Sequence, residues 1–266
     1  MPALIPATKA NEVIDIFGAP GLKNLKSFSE IGKKKAELKK AMNSLLSKNE
    51  VEAHTGLGII YIYENLIDLA LSHFRQAYLK SKFGLNEATH YANALFINGY
   101  FEDAIPIYLE MIKNNRNDTQ MFIQVAKRFN NFCFEQELNK VIELSYVSRD
   151  IPELELNIIK TEMNSTLTFL KRFNIPVELY REIRSWADVI FYRFFTLPTT
   201  GDFELNFDID NLSYIFGIDS EYCSDSISLV SKMNDQLQDA MIEAYEKYDV
   251  KLGSEQDRIT AYFNFV

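Results

Sequence analysis

The side chains of this sequence best suited to chemistry are three histidines, two cysteines and one short run of carboxylates. His54, His73 and His90 do not stand in H-E-x-x-H or any other metal-ligand spacing, so packed or groove-lining places are expected for them. Cys133 and Cys223 lie far apart, with no C-x-x-C, and are expected to be half-buried reduced thiols. Asp202, Glu204, Asp208 and Asp210 form the acidic run. On a strand, Glu204, Asp208 and Asp210 share a face. Such a face either holds a divalent cation through oxygen ligands or is a solvated surface that discourages edge-to-edge pairing. Arg258 would neutralise part of it. There is no G-x-x-x-x-G-K-[ST], no G-x-G-x-x-G and no G-x-S-x-G. These residues therefore assign no catalytic group, no metal ligand and no cofactor.

The elements that position these residues follow from composition and pattern. At 266 residues the chain has room for one large domain or two ordinary ones. It is 47% apolar and 24% charged, which gives a globular core and rules out wholesale disorder, collagen and a disulfide scaffold. Only 10 Gly and 7 Pro favour long uninterrupted helices. The first twenty residues lack a basic n-region, and no apolar run approaches the roughly 18 residues of a membrane span. A cytoplasmic protein with no membrane span is expected. The net charge of -9 is uneven. Residues 1–50 carry nine Lys and five acids (+4), residues 174–266 carry seven bases and seventeen acids (-10), and the remainder holds -3. An acidic C-terminal half repels phosphates, so nucleic acid is not an expected partner.

Thr8 opens a short helical pattern through Ala10, Val13, Ile14 and Phe17, ended by Gly18-Ala19-Pro20-Gly21. A second pattern carries Ile31, Leu38, Met42 and Leu45, with Lys33, Lys39 and Lys40 on its flank. That helix either docks on an anionic surface or packs on the next helix with its lysines in solvent. An internal repeat follows. Leu57-Gly58, Tyr61, Ala70, Phe74 and Ala77 recur 34 residues later as Tyr91-Ala92, Leu95, Ala104, Tyr108 and Met111. A third copy reads Val125-Ala126, Phe129, Leu138, Ile142 and Ser145. The small residues mark places where two helices cross closely, and the large ones fill the space around them. The register is expected to stop near residue 150, with a capping or bridging helix through Leu156, Ile159, Met163, Leu167 and Leu170.

The spacing and size code, L-G-x-x-Y followed by A-x-x-x-F-x-x-A, resembles the tetratricopeptide repeat family over about residues 51–150. The resemblance implies a mainly α fold, a solenoid of helical hairpins, with an inner groove that takes peptides. The groove positions it implies are Thr55, Ile59 and Ile62 in the first repeat. They are Thr89, Asn93 and Phe96 in the second, and Ile123, Lys127 and Asn130 in the third. Asn93, Lys127 and Asn130 would hold a peptide backbone or carboxylate, and Ile59, Ile62 and Phe96 would form an apolar floor. The chain's own terminal helices are the other possible occupant of this groove. Some family members clamp a chaperone's C-terminal carboxylate. The matching positions here are Thr55, Ile59, His90, Gln120 and Gln124, and all depart from that clamp.

Beyond the repeats, Leu179, Ile183, Trp186, Ile190 and Phe194 form a helical stripe. A loop at Leu197–Gly201 precedes an alternating strand at 203–210. A long helix from Ile227 to Tyr248 and a terminal strand through Ile259, Ala261, Phe263 and Phe265 complete a small α+β domain. The terminal strand is expected to pair with 203–210, in this chain or in a second copy as a homodimer. The expected organisation is an N-terminal helical segment (1–50), repeats (51–150), a bridge (151–176) and the α+β domain (177–266). A non-catalytic adaptor or chaperone-like protein that grips a protein or peptide segment is the first functional expectation. A metal-dependent enzyme in the α+β domain and a peptide-responsive regulator are the alternatives.

Overall fold

The structure is a computed structural model that describes residues 28–147, 153–194, 203–207, 211–218, 226–254 and 256–265. The Thr8–Phe17 pattern, the Leu197–Gly201 loop, Cys223 and three of the four clustered carboxylates (Asp202, Asp208 and Asp210) lie outside those residues. The described chain is mainly α, with helices in consecutive pairs followed by a small α+β segment. The helices are α1 (Phe28–Leu45), α2 (Glu50–Tyr63), α3 (Ile67–Lys80), α4 (Leu85–Ile97) and α5 (Phe101–Asn114). They continue with α6 (Thr119–Asn131), α7 (Glu135–Leu144), α8 (Glu153–Arg172), α9 (Val177–Phe194) and α10 (Ser226–Lys247). Three strands, β1 (Phe203–Phe207), β2 (Leu212–Ile218) and β3 (Ile259–Phe265), complete the set. The described residues fall into two compact units, residues 28–95 with 191–194 and the remainder.

In the first unit α2 packs on both α1 and α3. Its sequence is apolar on nearly every side, and Ala53, Thr55, Gly56, Leu57, Gly58 and Ile60 are all buried. Asn49 caps it, accepting from the Glu52 amide at 3.3 Å while its own side-chain amide donates to the Glu52 carboxylate at 2.9 Å. Two glycines set how closely its neighbours approach. A Cβ on Gly58 would stand 2.6 Å from the Phe74 ring of α3, and a Cβ on Gly56 would overlap Met42 Sδ of α1. Of α1's two expected roles, the unit shows packing: Leu38 and Met42 are buried against Leu57 and Ile60. Lys35 and Lys39 both reach Glu64, at 3.1 and 3.2 Å.

The 34-residue spacing is present in the backbone as well as in the side chains. The second helix of each pair begins at Ile67, Phe101 and Glu135. The small residues Gly58, Ala70, Ala92, Ala104 and Ala126 are all buried. The turn inside each pair places one residue in the left-handed region: Asn65 (φ 58°), Gly99 (φ 79°) and Cys133 (φ 55°). The first and third turns close with the same long bond, Leu66 N–H to Tyr61 O and Phe134 N–H to Phe129 O, both 2.9 Å. Glycine and asparagine tolerate this conformation, whereas cysteine rarely adopts it. Cys133 is held there from outside. Arg181 of α9 donates from Nε to Phe132 O (2.9 Å) and from Nη2 to Cys133 O (2.8 Å), and Tyr180 Oη donates to Asn131 O (3.0 Å). These donors satisfy carbonyls that the end of α6 leaves open.

The turn that ends the next helix departs from the 34-residue register. α8 starts at Glu153, 34 residues after Thr119, yet runs 20 residues where α6 runs 13. Its left-handed turn residue, Asn174 (φ 57°), therefore comes 41 residues after Cys133.

The core of the second unit is aromatic. Phe96 lies within 4.9 Å of the Phe101 and Phe132 ring centroids and within about 6 Å of Tyr108, Phe129 and Phe134. Three arginines line this cluster. Arg128 bonds Tyr108 Oη at 2.7 Å, Arg181 lies 4.0 Å from the Phe134 centroid, and Arg184, paired with Asp188, lies 5.3 Å from that of Phe132.

The sheet corrects one expectation. Within the chain, the terminal strand does not pair with the described residues 203–207 of the expected partner. The strand order is β1-β2-β3, so β3 pairs with β2, in parallel, and β1 pairs antiparallel with β2 (Leu205↔Tyr214). β2 and β3 are joined through α10, and a strand–helix–strand connection brings its strands together in parallel. Ile259, Ala261 and Phe263 are buried, as the alternation implied. They pack beside α10, whose Met233, Leu237, Ala244 and Tyr245 are buried. Leu212 N–H donates to Arg258 O, so the even-numbered residues of β3 bond to β2 and the odd-numbered ones face the outer edge. α10 occupies that edge. Tyr245 Oη donates to Ile259 O (3.1 Å), and the Asn234 amide both accepts from Phe263 N–H (2.7 Å) and donates to Phe263 O (3.1 Å).

Two outcomes test this packing. On an exposed helix, Gly→Ala stabilises by about 1 kcal/mol. Gly58→Ala should do the reverse, destabilising by about 1–3 kcal/mol because its Cβ meets the Phe74 ring, and Phe74→Leu should recover part of the loss. Urea unfolding followed by circular dichroism measures both. Asn234→Ala should cost about 1–3 kcal/mol, since two backbone groups of a buried strand lose their partner. If Asn234→Ala unfolds at the wild-type urea concentration, α10 is not what closes the β3 edge.

Candidate functional site

The positions implied for ligand contact lie on the first helix of each pair. In the first unit Thr55 is buried, and its Oγ1 donates back to Val51 O at 3.0 Å. Ile59 is half-buried between two clusters, one around Leu38 and Met42 and the other around Ala70, Phe74 and Ala94. Ile62 is half-buried against the second cluster. On α4, Thr89 Oγ1 donates to Leu85 O at 2.8 Å, and Asn93 is half-buried. Ile59, Ile62, Thr89 and Asn93 thus keep surface in this unit, and Thr55 keeps almost none.

In the second unit Phe96 is 1% exposed at the centre of the aromatic cluster. That corrects its expected place in an apolar floor: five rings close around it, so it is a packing residue. Ile123 is half-buried and Lys127 exposed, one turn apart on α6. Asn130, a turn further, is 5% exposed. Its Nδ2 donates to Glu162 of α8 at 2.9 Å, and its Oδ1 is buried without a hydrogen-bond partner. α8 therefore covers the end of the α6 face that Asn130 was expected to offer, while Lys127 stays open.

The remaining reactive side chains sort by environment. Cys133 is a free thiol, buried, and burial pushes it up to about 12, which leaves it protonated and unreactive. His90 is stacked on Phe74, planes 7° apart, and burial pushes its pKa down. It is a packed histidine, as expected. His54 and His73 face each other across α2 and α3, Nδ1 to Nδ1 at 2.8 Å. That pair was not read from the sequence, although both positions lie on the two helices of one hairpin. Arg181 and Tyr180 were also missed as the cap of α6, because nothing in a one-dimensional pattern links them to residues about fifty positions earlier. Among the described residues no group of three His, Cys, Asp or Glu side chains is placed to hold a metal ion. Of the acidic run only Glu204 falls in a described strand, β1, whose side chains are not described. Among the described residues no helix is long and apolar enough to cross a membrane.

No family model, no curated protein and no solved structure matches the chain.

Proposed function

We propose that the chain is a non-catalytic protein-binding module, an adaptor or chaperone-like protein whose helix pairs take an extended protein or peptide segment. One observation carries this reading. Along α2, α4 and α6 the small residues that bring helices together are buried, while Ile59, Ile62, Thr89, Asn93, Ile123 and Lys127 keep solvent-facing surface. Helix pairs built this way present, within each unit, a row of mixed apolar and polar side chains. Such a row suits a peptide whose backbone needs amide partners and whose side chains need apolar contact. It resembles the use that tetratricopeptide repeats make of the same positions. The cytoplasm is the compartment we infer, because the free, buried thiol of Cys133 belongs to a chain that does not rely on disulfides.

The test is a peptide-display selection against the intact protein, followed by affinity measurement with variants. Asn93→Ala combined with Lys127→Glu should weaken the selected peptides at least about tenfold, equivalent to about 1.4 kcal/mol. Lys127→Glu alone should shift stability by no more than about 0.5 kcal/mol, as an exposed substitution does. The reading fails if no peptide is selected, or if the double variant binds every selected peptide as tightly as the wild type.

A further inference from the structure

All three histidines of the chain belong to the first unit, on α2, α3 and α4, so the second unit has none. Two of them share a single proton. His54 Nδ1 and His73 Nδ1 are 2.8 Å apart, their rings tilted by 43°. Two ring nitrogens at that distance hold one hydrogen between them. One ring is therefore the Nδ1–H tautomer, and the other presents its Nδ1 lone pair and carries its own hydrogen on Nε2. Tyr61 stacks on His73, planes 26° apart and centroids 5.2 Å apart, and restrains that ring.

The charged groups around the pair come from all the packed helices. From α1, Lys39 lies 4.4 Å from the Tyr61 centroid and pairs with Glu64, which also takes Lys35. From α2 and α3, Glu50 and Lys80 pair with each other beside His54. From α4, His90 is stacked on the Phe74 ring, with Glu87 nearby. Burial holds both rings of the pair below the ordinary histidine value. Lys80 adds to this at His54, against Glu50, and His54 and Lys39 add to it at His73. Two ligands flanked by two ammonium groups do not make a cation site, which leaves proton binding as the chemistry of the pair.

We propose that the His54–His73 pair is a proton-operated latch between α2 and α3, closed with no extra proton or one and opened by the second. The first added proton enters at Nε2 of the ring that donates its Nδ1–H. That ring becomes an imidazolium and keeps its bond to the partner's lone pair. The second proton has only that lone pair to take. Two N–H groups then face each other where one bond stood, and two positive charges lie in contact. The pair therefore titrates in two steps that belong to both rings together. The folded values are depressed and the unfolded ones ordinary. The neutral pair thus contributes its full stability above about pH 6.5, and that contribution is lost as pH falls from there towards the folded values. Opening would disturb the α2–α3 surface that carries Ile59 and Ile62, although the latch does not depend on what that surface binds.

Hydrogen exchange of the intact chain, corrected for the intrinsic pH dependence, tests the latch. Between pH 7.5 and 5.5, protection of residues 50–80 should fall by about tenfold, the effect of one pKa unit of differential protonation. Protection of residues 101–131 should change by less than about twofold, as expected of a segment whose unit has no histidine to titrate. The double variant His54→Gln/His73→Gln should flatten the first response. If the double variant loses protection as the wild type does, the effect belongs to His90 and the latch is wrong. Imidazole 15N spectra of the wild type give a second readout that needs no variant. Two steps, the lower well under 6.5, support the latch, and two independent titrations near 6.5 overturn it.

Discussion

The close approach of paired helices at small residues is the constraint on which the rest of this structure depends. Gly58 leaves no room for a Cβ because the Phe74 ring stands where it would be. With the backbones this close, Ala70 and Phe74 are fully enclosed, and Ile59, Tyr61 and Ile62 pack around them. Ala92, Ala104 and Ala126, at the matching positions of the later repeats, are likewise fully buried. A hairpin of this kind has only one apolar side satisfied by itself, so each pair needs a neighbour. α1 meets that need for α2 by seating Met42 against Gly56, a glycine whose purpose is packing and not flexibility.

Tight pairing also dictates how the chain must turn. Three residues separate the two helices of each pair, too few for a loop to wander, and a left-handed residue is what reverses the chain in that length. At Asn65 and Gly99 the residue type itself tolerates the conformation. At Cys133 it does not, and the second unit supplies the difference. Arg181 ties down the carbonyls of Phe132 and Cys133 while its guanidinium covers Phe134. One side chain thus caps a helix, holds a strained turn and covers an aromatic core. Its charge is offset in part by Glu178 at 4.0 Å.

The small sheet solves a different problem with similar means. A strand at the end of a chain exposes a row of unpaired amides, which invites pairing with another molecule. β3 has β2 on one side and α10 on the other, and Asn234 imitates a neighbouring strand by bonding both the N–H and the C=O of Phe263. The edge of β3 is therefore occupied at Phe263 and Ile259 by side chains from a helix.

Much of this was legible in the sequence. The 34-residue recurrence of small and large residues fixed the helix pairs and the buried identity of Gly58, Ala70, Ala92, Ala104 and Ala126. The alternation of Ile259, Ala261 and Phe263 marked β3. Those signals are local, because the period of a helix or strand decides which side chains share a face. The partner of β3 was available as well, in the alternation of Leu212, Tyr214, Phe216 and Ile218, but a strand's pattern names its faces and not its neighbour. Only the tertiary structure decided that neighbour, the burial of Phe96 within a ring of aromatics, the meeting of His54 with His73 and the hold of Arg181 on Cys133. Each of these joins residues from different helices or strands, and their contact is set by how whole elements pack, a relation that no spacing along the chain encodes.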